Sequence, residues 1–457
     1  MKGFHPSLVE RLDSERLSSY RTYLDFYSGT QWTGTSRERR LVFNYAKVAI
    51  DKMTSYLMQG LTFPCYPLED TDEAHARVDK AEHLLRQVYE DNNLQELDWE
   101  TEIDAAILGD ACYKVIWDTA EKRIKVVSPD VRGLFAWCVG DDLSRVWRAA
   151  LRYELSADEI GMLYRLKLTR NKATVMELWT DKTFELWIDN DRIQFRSNPY
   201  GFIPFVIFPN IRQPKQFWGT SDIVALVEPQ RELNRALSQL SRILELSGNP
   251  IAVLENVGSS EEIKVQPGAV WTIPEDAKAY LLDLLQGGGI RLHIDYIDTI
   301  YRCLHDISET PRAAYGGTER DISGAALNIE LGSLVQKVMR KRTIRTAVYH
   351  RRTDMILKLA ERFFKEDFSG ITHRVVWGPI LPADLARQAQ NEQILVQSGI
   401  HSRRTAMDEL GIQDPETEFK RWLEERATIR KQNIDLPLPS TRGGSKSRSY
   451  EGTPTED

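Results

Sequence analysis

The sequence predicts an α+β chain that is mainly helical, and three observations carry that reading. Apolar residues recur at spacings of three and four over residues 1–110, switch to period two over 111–210, and return to the helical period from 219 onward. The chain has 457 residues, 42% of them hydrophobic and 28% charged. That is an ordinary composition for a protein able to bury a core. At about 150 residues per domain, the length is a soft prior of three structural units.

In the first zone Ala74, Val78, Ala81, Leu85 and Val88 share one helical face. In the second, the odd positions of Trp147–Tyr153 are apolar, whereas Arg148 and Arg152 take even ones. Ile193 and Phe195 likewise alternate with Arg192, Gln194 and Arg196. Turn residues such as Asp189-Asn190-Asp191 separate these runs, so the zone predicts a half-buried antiparallel sheet with hairpins. In the third, Ile223, Leu226 and Val227 lead into Leu233, Leu237, Leu240 and Leu244, a stripe running to about Ser247. Pro229 interrupts it, which allows either a short helix before a longer one or a single kinked helix.

Residues 248–289 break into Gly/Pro-punctuated extended pieces and end in Gly287-Gly288-Gly289. A second helix covers about 290–309, with Ile290, Ile294, Ile297, Tyr301 and Leu304 on one side. An irregular segment, 310–322, follows. Residues 323–366 then read as helix almost without a break, with Gly332 as the weakest point. Shorter helices are predicted at 383–398, 402–410 and 415–430, the last with Asp414 as N-cap and Pro415 at its first position. The tail 433–457, rich in Pro, Ser, Gly and Thr, is expected to be disordered.

Lys and Arg number 60 against 67 Asp and Glu, a formal net charge of −7. This argues against a protein whose main surface clamps nucleic acid by neutralising phosphates, and gives no reason to expect an anionic membrane as partner. No stretch approaches the roughly 20 apolar residues of a spanning helix; the densest, Phe202–Ile211, reads as a buried strand. The N-terminus is charged too early for a secretory signal. Cys65, Cys112, Cys138 and Cys303 are far apart, against both structural disulfides and a cysteine zinc site. A chain of cytoplasmic origin is expected.

Chemical motifs are mostly absent: there is no phosphate loop, no GxGxxG after a strand, no HExxH and no GxSxG. Asp72-Glu73-Ala74-His75 spells a helicase-like string. Without a phosphate loop to bring nucleotide and magnesium to it, it reads as the acidic first turn of an amphipathic helix. His293, Asp295, Asp298, His305 and Asp306 share one helix, but no second Glu-x-x-His helix converges on them, so a charged face is the expectation. The run from 337 to 352 holds Lys337, Arg340, Lys341, Arg342, Arg345, Arg351 and Arg352 without one acid. It would suit phosphates; in a net-acidic chain a solvated helix face or an intersubunit ion-pair network is favoured. No catalytic residue, cofactor or metal site is expected.

The order of the blocks resembles that of the tailed-bacteriophage portal proteins, of the SPP1-like, siphophage type. Tyr20–Gly29 looks like that family's opening aromatic-glycine segment, and Asn44–Asp51 with Tyr56–Gly60 like its next block. Phe208-Pro209-Asn210, Gly219–Ile223 and Leu233-Asn234 resemble the entry to its stem helix. Ser323–Leu327 is similar to the start of the long helix after the tunnel loop, and Leu381–Asp384 and Gly399–Thr405 to the C-terminal pattern. Each block alone is weak; their order over about 15–430 is much more specific.

The resemblance implies a portal fold: wing 1–217, stem helices 218–247 and 290–309, clip 248–289, and tunnel loop 310–322. A long wing helix and strand would take 323–380 and crown-side helices 381–432, before the tail. It implies a homo-oligomeric ring, usually of twelve subunits, at one capsid vertex of the virion, assembled in the host cytoplasm. Double-stranded DNA would pass through it in packaging and ejection. Terminase, the major capsid protein, scaffold and head-to-tail adaptors would dock on it, with no membrane partner and no enzymatic activity of its own. The tunnel loop would present Arg312, Tyr315, Gly316, Gly317, Glu319 and Arg320 to DNA as a mobile segment. Glu255, Glu261, Glu262 and Lys264 would be clip contacts with partners. A virion scaffold or adaptor without a channel, and a nucleic-acid-processing enzyme, are the competing readings.

Overall fold

A computed structural model describes residues 6, 9, 13–32, 41–248, 251–256, 276, 278–282, 289–316, 324–381, 385–412 and 415–431. The chain divides into two compact units, Met1–Ile380 and Leu381–Asp457.

The first unit opens with helices α1 (Ser14–Ser28) and α2 (Tyr45–Leu57), the short strand β1 (Cys65–Pro67), and helices α3 (Asp72–Asp91) and α4 (Leu94–Leu108). Thr71 caps α3, its side chain accepting from the Ala74 N–H, and Asp72 and Glu73 sit in the first turn. The DEAH string is thus a helix start, where acids complement the exposed N–H groups. Ala74, Val78, Ala81, Leu85 and Val88 are its buried residues, as the periodicity predicts.

Strands β2 (Asp110–Asp118) and β3 (Arg123–Val127) form a hairpin, joined on the other side of β2 by β9 (Phe205–Pro209). Between them β4 (Leu134–Val139), β5 (Asp142–Ser156), β6 (Lys172–Trp179), β7 (Thr183–Ile188) and β8 (Asp191–Ser197) make a five-stranded antiparallel meander in chain order, with helix α5 (Ala157–Tyr164) between β5 and β6. Both faces of β5 are covered over Ala149–Leu151, whereas Asp142, Ser144, Arg145 and Trp147 are exposed. Ala149 and Leu151 join a core with Tyr20, Phe26 and Ile107, while Ala150 packs with Phe135, Met176 and Leu178 on the other side. The expectation of a half-buried sheet fails differently at β8, where every residue is exposed, Phe195 at 58%. Among the described residues no layer packs over either face of this strand, so its alternation goes uncovered.

Helix α6 (Val227–Gly248) follows a 3-10 turn at Val224–Leu226. Pro229 falls in the first turn of α6, where its missing N–H costs nothing, so the chain makes a short turn and then one long helix. Strands β10 (Ile251–Glu255) and β11 (Lys278–Leu282) pair antiparallel before helix α7 (Gly289–Ser308). The stretch read as one helix over 323–366 is two, α8 (Gly324–Glu330) and α9 (Gly332–Phe363). The interruption falls at Leu331, beside Gly332, whose backbone freedom disfavours helix by about 1 kcal/mol. Strand β12 (Ile371–His373) pairs with β1.

The second unit holds α10 (Leu385–Gln397), α11 (Arg403–Glu409) and α12 (Pro415–Lys431). Gly399, at φ +71°, ends α10, and the Ser402 hydroxyl accepts from the Thr405 N–H to start α11. The Gly399–Thr405 block is therefore a helix stop followed by a helix start. Asp414 and the tail lie outside the described residues. Among the described residues no helix is long and apolar enough to cross a membrane.

Candidate functional site

The basic run on α9 does not form a solvated or intersubunit face. Lys337, Lys341, Arg342, Arg345 and Arg352 are at most 8% exposed, because the acids they need come from distant parts of the same subunit. Arg345 Nε donates to both carboxylate oxygens of Glu102, and its Nη1 to the carbonyls of Pro209 (2.9 Å) and Asn210 (3.0 Å). Arg352 meets Asp98 and the Tyr89 hydroxyl. Arg342 caps the end of α2, donating to the carbonyls of Leu57 (3.2 Å) and Gly378 (2.6 Å). Of the seven basic residues in the run only Arg340 and Arg351 are exposed, and Arg340 pairs with Glu309 at 2.6 Å. A buried arginine is costly unless its charge is paired and its donors are met; here carboxylates, carbonyls and the Tyr89 hydroxyl meet them, with the Nε of Arg352 left without a partner.

The same run closes on the loop that enters α6. Lys341 Nζ lies 2.5 Å from Asp222 and 2.7 Å from Asn210 Oδ1, and Lys337 Nζ lies 3.1 Å from Asp222. Burial alone would raise the pKa of Asp222, but the two lysines outweigh it and hold the carboxyl well below its ordinary range. Around it, Gly219 N–H donates to Asp110 (2.7 Å), the Ser221 hydroxyl to the Ala106 carbonyl (3.1 Å), and the Asn210 amide to the Thr220 carbonyl (3.1 Å). Gly219 must be glycine here: a Cβ would sit 2.4 Å from the Gly109 carbonyl oxygen. The Phe208–Asn210 and Gly219–Asp222 motifs are the two halves of one buried junction.

Beyond that junction α6 and α7 pack on each other through Leu233, Ala236, Ile300 and Leu304, with Ala46 and Ala49 of α2. Gln230 and Asn234, both fully buried, bind the start of α2 and the segment before it. The Gln230 side chain accepts from the Ala46 N–H (3.2 Å) and Asn234 from the Phe43 N–H (2.9 Å). Further along, the pair leaves apolar side chains open: Leu292 is 73% exposed, Leu244 52% and Ile294 51%.

The segment after α7 differs from expectation. Over its described part it is an anchored 3-10 turn, Arg312–Tyr315, rather than irregular chain. Thr310 and Ala314 are buried, His305 Nδ1 lies 2.8 Å from the Thr310 carbonyl, and the Tyr315 hydroxyl donates to Thr310 Oγ1 at 3.1 Å. Tyr315 packs edge-on against the His305 ring, so it is turned inward, and burial raises its pKa. Arg312 stays exposed, 5.9 Å from the Tyr301 ring centroid, and Gly316 has open space around it. Gly317, Glu319 and Arg320 lie outside the described residues. So do Glu261, Glu262 and Lys264; Glu255 is exposed on β10 and accepts from the Tyr280 hydroxyl at 3.3 Å.

The α7 cluster of histidines and acids is not brought together as a metal site. His305 is buried between Tyr301 and Tyr315, and Asp298 pairs with Arg302 at 2.6 Å. A different trio converges, which sequence reasoning missed: His350 and Asp354 on α9 with His373 on β12. Burial, and then the neighbouring His350, lower the pKa of His373.

A family model described as phage portal protein, SPP1 Gp6-like, matches residues 10–432. The chain belongs to that family. No curated protein matches the chain. The match spans the junction, the α6/α7 pair and the helices of the second unit, and bears out the portal resemblance and the mainly helical α+β portal fold. Membership assigns the protein to the virion capsid, at the vertex, in a DNA-channel role, within a structural family.

Proposed function

We propose that copies of this chain close into a homo-oligomeric ring, usually of twelve in this family. DNA would pass through it in packaging and ejection, and it would dock terminase, capsid and scaffold proteins and head-to-tail adaptors. The observation that carries the ring is the α6/α7 pair. It buries one side within the subunit and leaves Leu244, Leu292 and Ile294 more than half exposed, a pattern that a neighbouring copy would cover. In this reading α6 and α7 are the stem, β10 and β11 belong to the clip, residues 1–217 and 323–380 form the wing and 381–432 the crown-side helices. Glu255 with Glu261, Glu262 and Lys264 faces clip partners.

Residues 310–322 form the constriction. Arg312 is the described side chain that faces outward there, with Gly316 opening the path towards Gly317, Glu319 and Arg320. DNA must slide, so the lining must not hold it: six to ten phosphate contacts would change affinity by about 10³–10⁵ over moderate salt. A net charge of −7 per chain, and basic residues on α9 spent on internal pairs, both suit a passage. The chain hydrolyses no ATP by itself; the terminase supplies that work. Negative-stain images and light scattering of the purified protein test the reading: rings with a central hole are expected, and a strictly monomeric mass at high concentration would overturn it.

A further inference from the structure

We propose that His350, Asp354 and His373 form a binding site for a divalent transition-metal ion of the zinc class. One ligand atom from each lies within 4.8 Å of the other two. His350 and Asp354 are four residues apart on α9 and so share a helical face, with His350 Nδ1 3.4 Å from an Asp354 oxygen. His373 comes from β12, its Nε2 3.7 Å from the other Asp354 oxygen. Both separations are long for hydrogen bonds. Each runs to a different Asp354 oxygen, and each is close to the edge of about 3.3 Å of a tetrahedron with bonds of about 2.0 Å, so the carboxylate has an oxygen within reach of either imidazole's metal position. The two imidazole rings stand 4.1 Å apart between centroids. A contact of 3.3 Å from His373 Nε2 to the His350 carbonyl is the one weak bond that a metal would displace.

Two imidazoles and one carboxylate are a borderline-soft donor set, suited to Zn²⁺, Co²⁺ or Ni²⁺ rather than to Ca²⁺ or Mg²⁺. His373 is 5% exposed, whereas the side chains of His350 and Asp354 are 47% and 44% exposed. The site therefore has a fixed inner wall and an open outer position for water or a further ligand. Its consequence is mechanical: β12 is three residues long and, among the described residues, pairs only with the equally short β1. An ion here would staple that small sheet to the middle of α9, close to Arg345 and Arg352.

The test uses the full-length protein, stripped with a chelator and titrated with Co²⁺. One Co²⁺ per chain should produce the visible ligand-field band of a four-coordinate site, and Zn²⁺ should displace it. At a hundredfold excess of Zn²⁺ over its Kd, the unfolding temperature should rise by roughly 3–6 °C. His350→Ala, on the exposed side, should leave the metal-free unfolding temperature unchanged and abolish both the band and the rise. Asp354→Asn should weaken binding at least tenfold. Absence of the band in the parent protein, or binding that survives His350→Ala unchanged, would overturn the proposal.

Discussion

Helix α9 and the α6/α7 pair solve opposite problems with similar raw material. Both are long and amphipathic, and both place charged and apolar residues at helical spacing. Yet α9 has its cations neutralised inside the subunit, by Asp98, Glu102 and Asp222, while α6 and α7 expose leucine and isoleucine to solvent. A segment whose buried charges are paired at home is a scaffold. A segment that leaves apolar area uncovered needs a partner. The loop at 219–222 is where one regime passes into the other: Asp222 pairs with Lys337 and Lys341 of α9, and α6 begins at Val227.

The largest effect should come from breaking the scaffold side. Removing one partner of a buried pair leaves the other charged and unpaired, at a cost of about 3–5 kcal/mol. Arg345→Ala strands Glu102 and also orphans the carbonyls of Pro209 and Asn210. Chemical denaturation should show that loss, or no folded protein at all. Replacing both partners, Arg345→Met with Glu102→Leu, should recover part of it. A single variant within about 1 kcal/mol of the parent would mean that α9 is not internally closed.

Next in size is Asp110, a buried acid at the same junction whose two donors, Gly219 N–H and the Tyr20 hydroxyl, are neutral. Burial pushes its pKa up to about 6, above the ordinary value near 4. The sign is then opposite to that of Asp222. The folded protein holds this proton more tightly than the unfolded chain. Its contribution is fully present below about pH 4 and is lost as pH rises to about 6, amounting to about 3 kcal/mol. Asp222, with its pKa lowered, contributes above pH 4 and loses that contribution on acidification. Stability profiles of parent and Asp110→Asn should therefore converge at low pH and separate between pH 4 and 6. Parallel profiles across that window would remove Asp110 from the contrast.

On the open side, Leu292→Asp with Ile294→Asp should prevent association while leaving the isolated subunit's unfolding little changed. Burying each of those side chains at an interface is worth roughly 1.5–3 kcal/mol. Scattering masses that stay at ring size in this variant would show that these residues do not face a neighbour.

Much of this contrast was legible in the residues and part was not. Periodicity located α3, α6, α7 and α9, because a helical stripe is a local property. The blocks at 208–210 and 219–223 marked the entry to the α6 helix, though not that the two meet in one buried junction. The fate of the basic run was hidden, because the acids that neutralise it lie far away in the chain. Asp98 and Glu102 did carry a signal: they share the helical face of Leu94 and Ala105, which is buried, and an acid on a buried face calls for a cation. The inward turn of Tyr315 was invisible as well, since Pro311 and Gly316 mark a turn but do not say what its side chains pack on. The His350–His373 approach depends on the β1–β12 pairing, a contact across some three hundred residues that no local pattern encodes.

The smallest expected effect sharpens the comparison within α9 itself. Arg340 and Arg345 are the same residue type, five positions apart on one helix, and each binds a carboxylate. Arg345 and Glu102 are almost wholly buried, whereas the side chains of Arg340 and Glu309 are 56% and 38% exposed. An exposed pair is screened by water and salt and loses side-chain entropy in forming, so it contributes about 0–1 kcal/mol. Arg340→Ala should accordingly shift the denaturation midpoint only slightly, and less still at high salt, beside the collapse expected of Arg345→Ala. The position also reports on assembly. Glu309 lies at the end of α7, so if a neighbouring copy covers this pair in the ring, Arg340→Ala should weaken association while the isolated subunit stays as stable as the parent. A loss of subunit stability comparable to that of Arg345→Ala would instead show that burial is not what separates the two arginines.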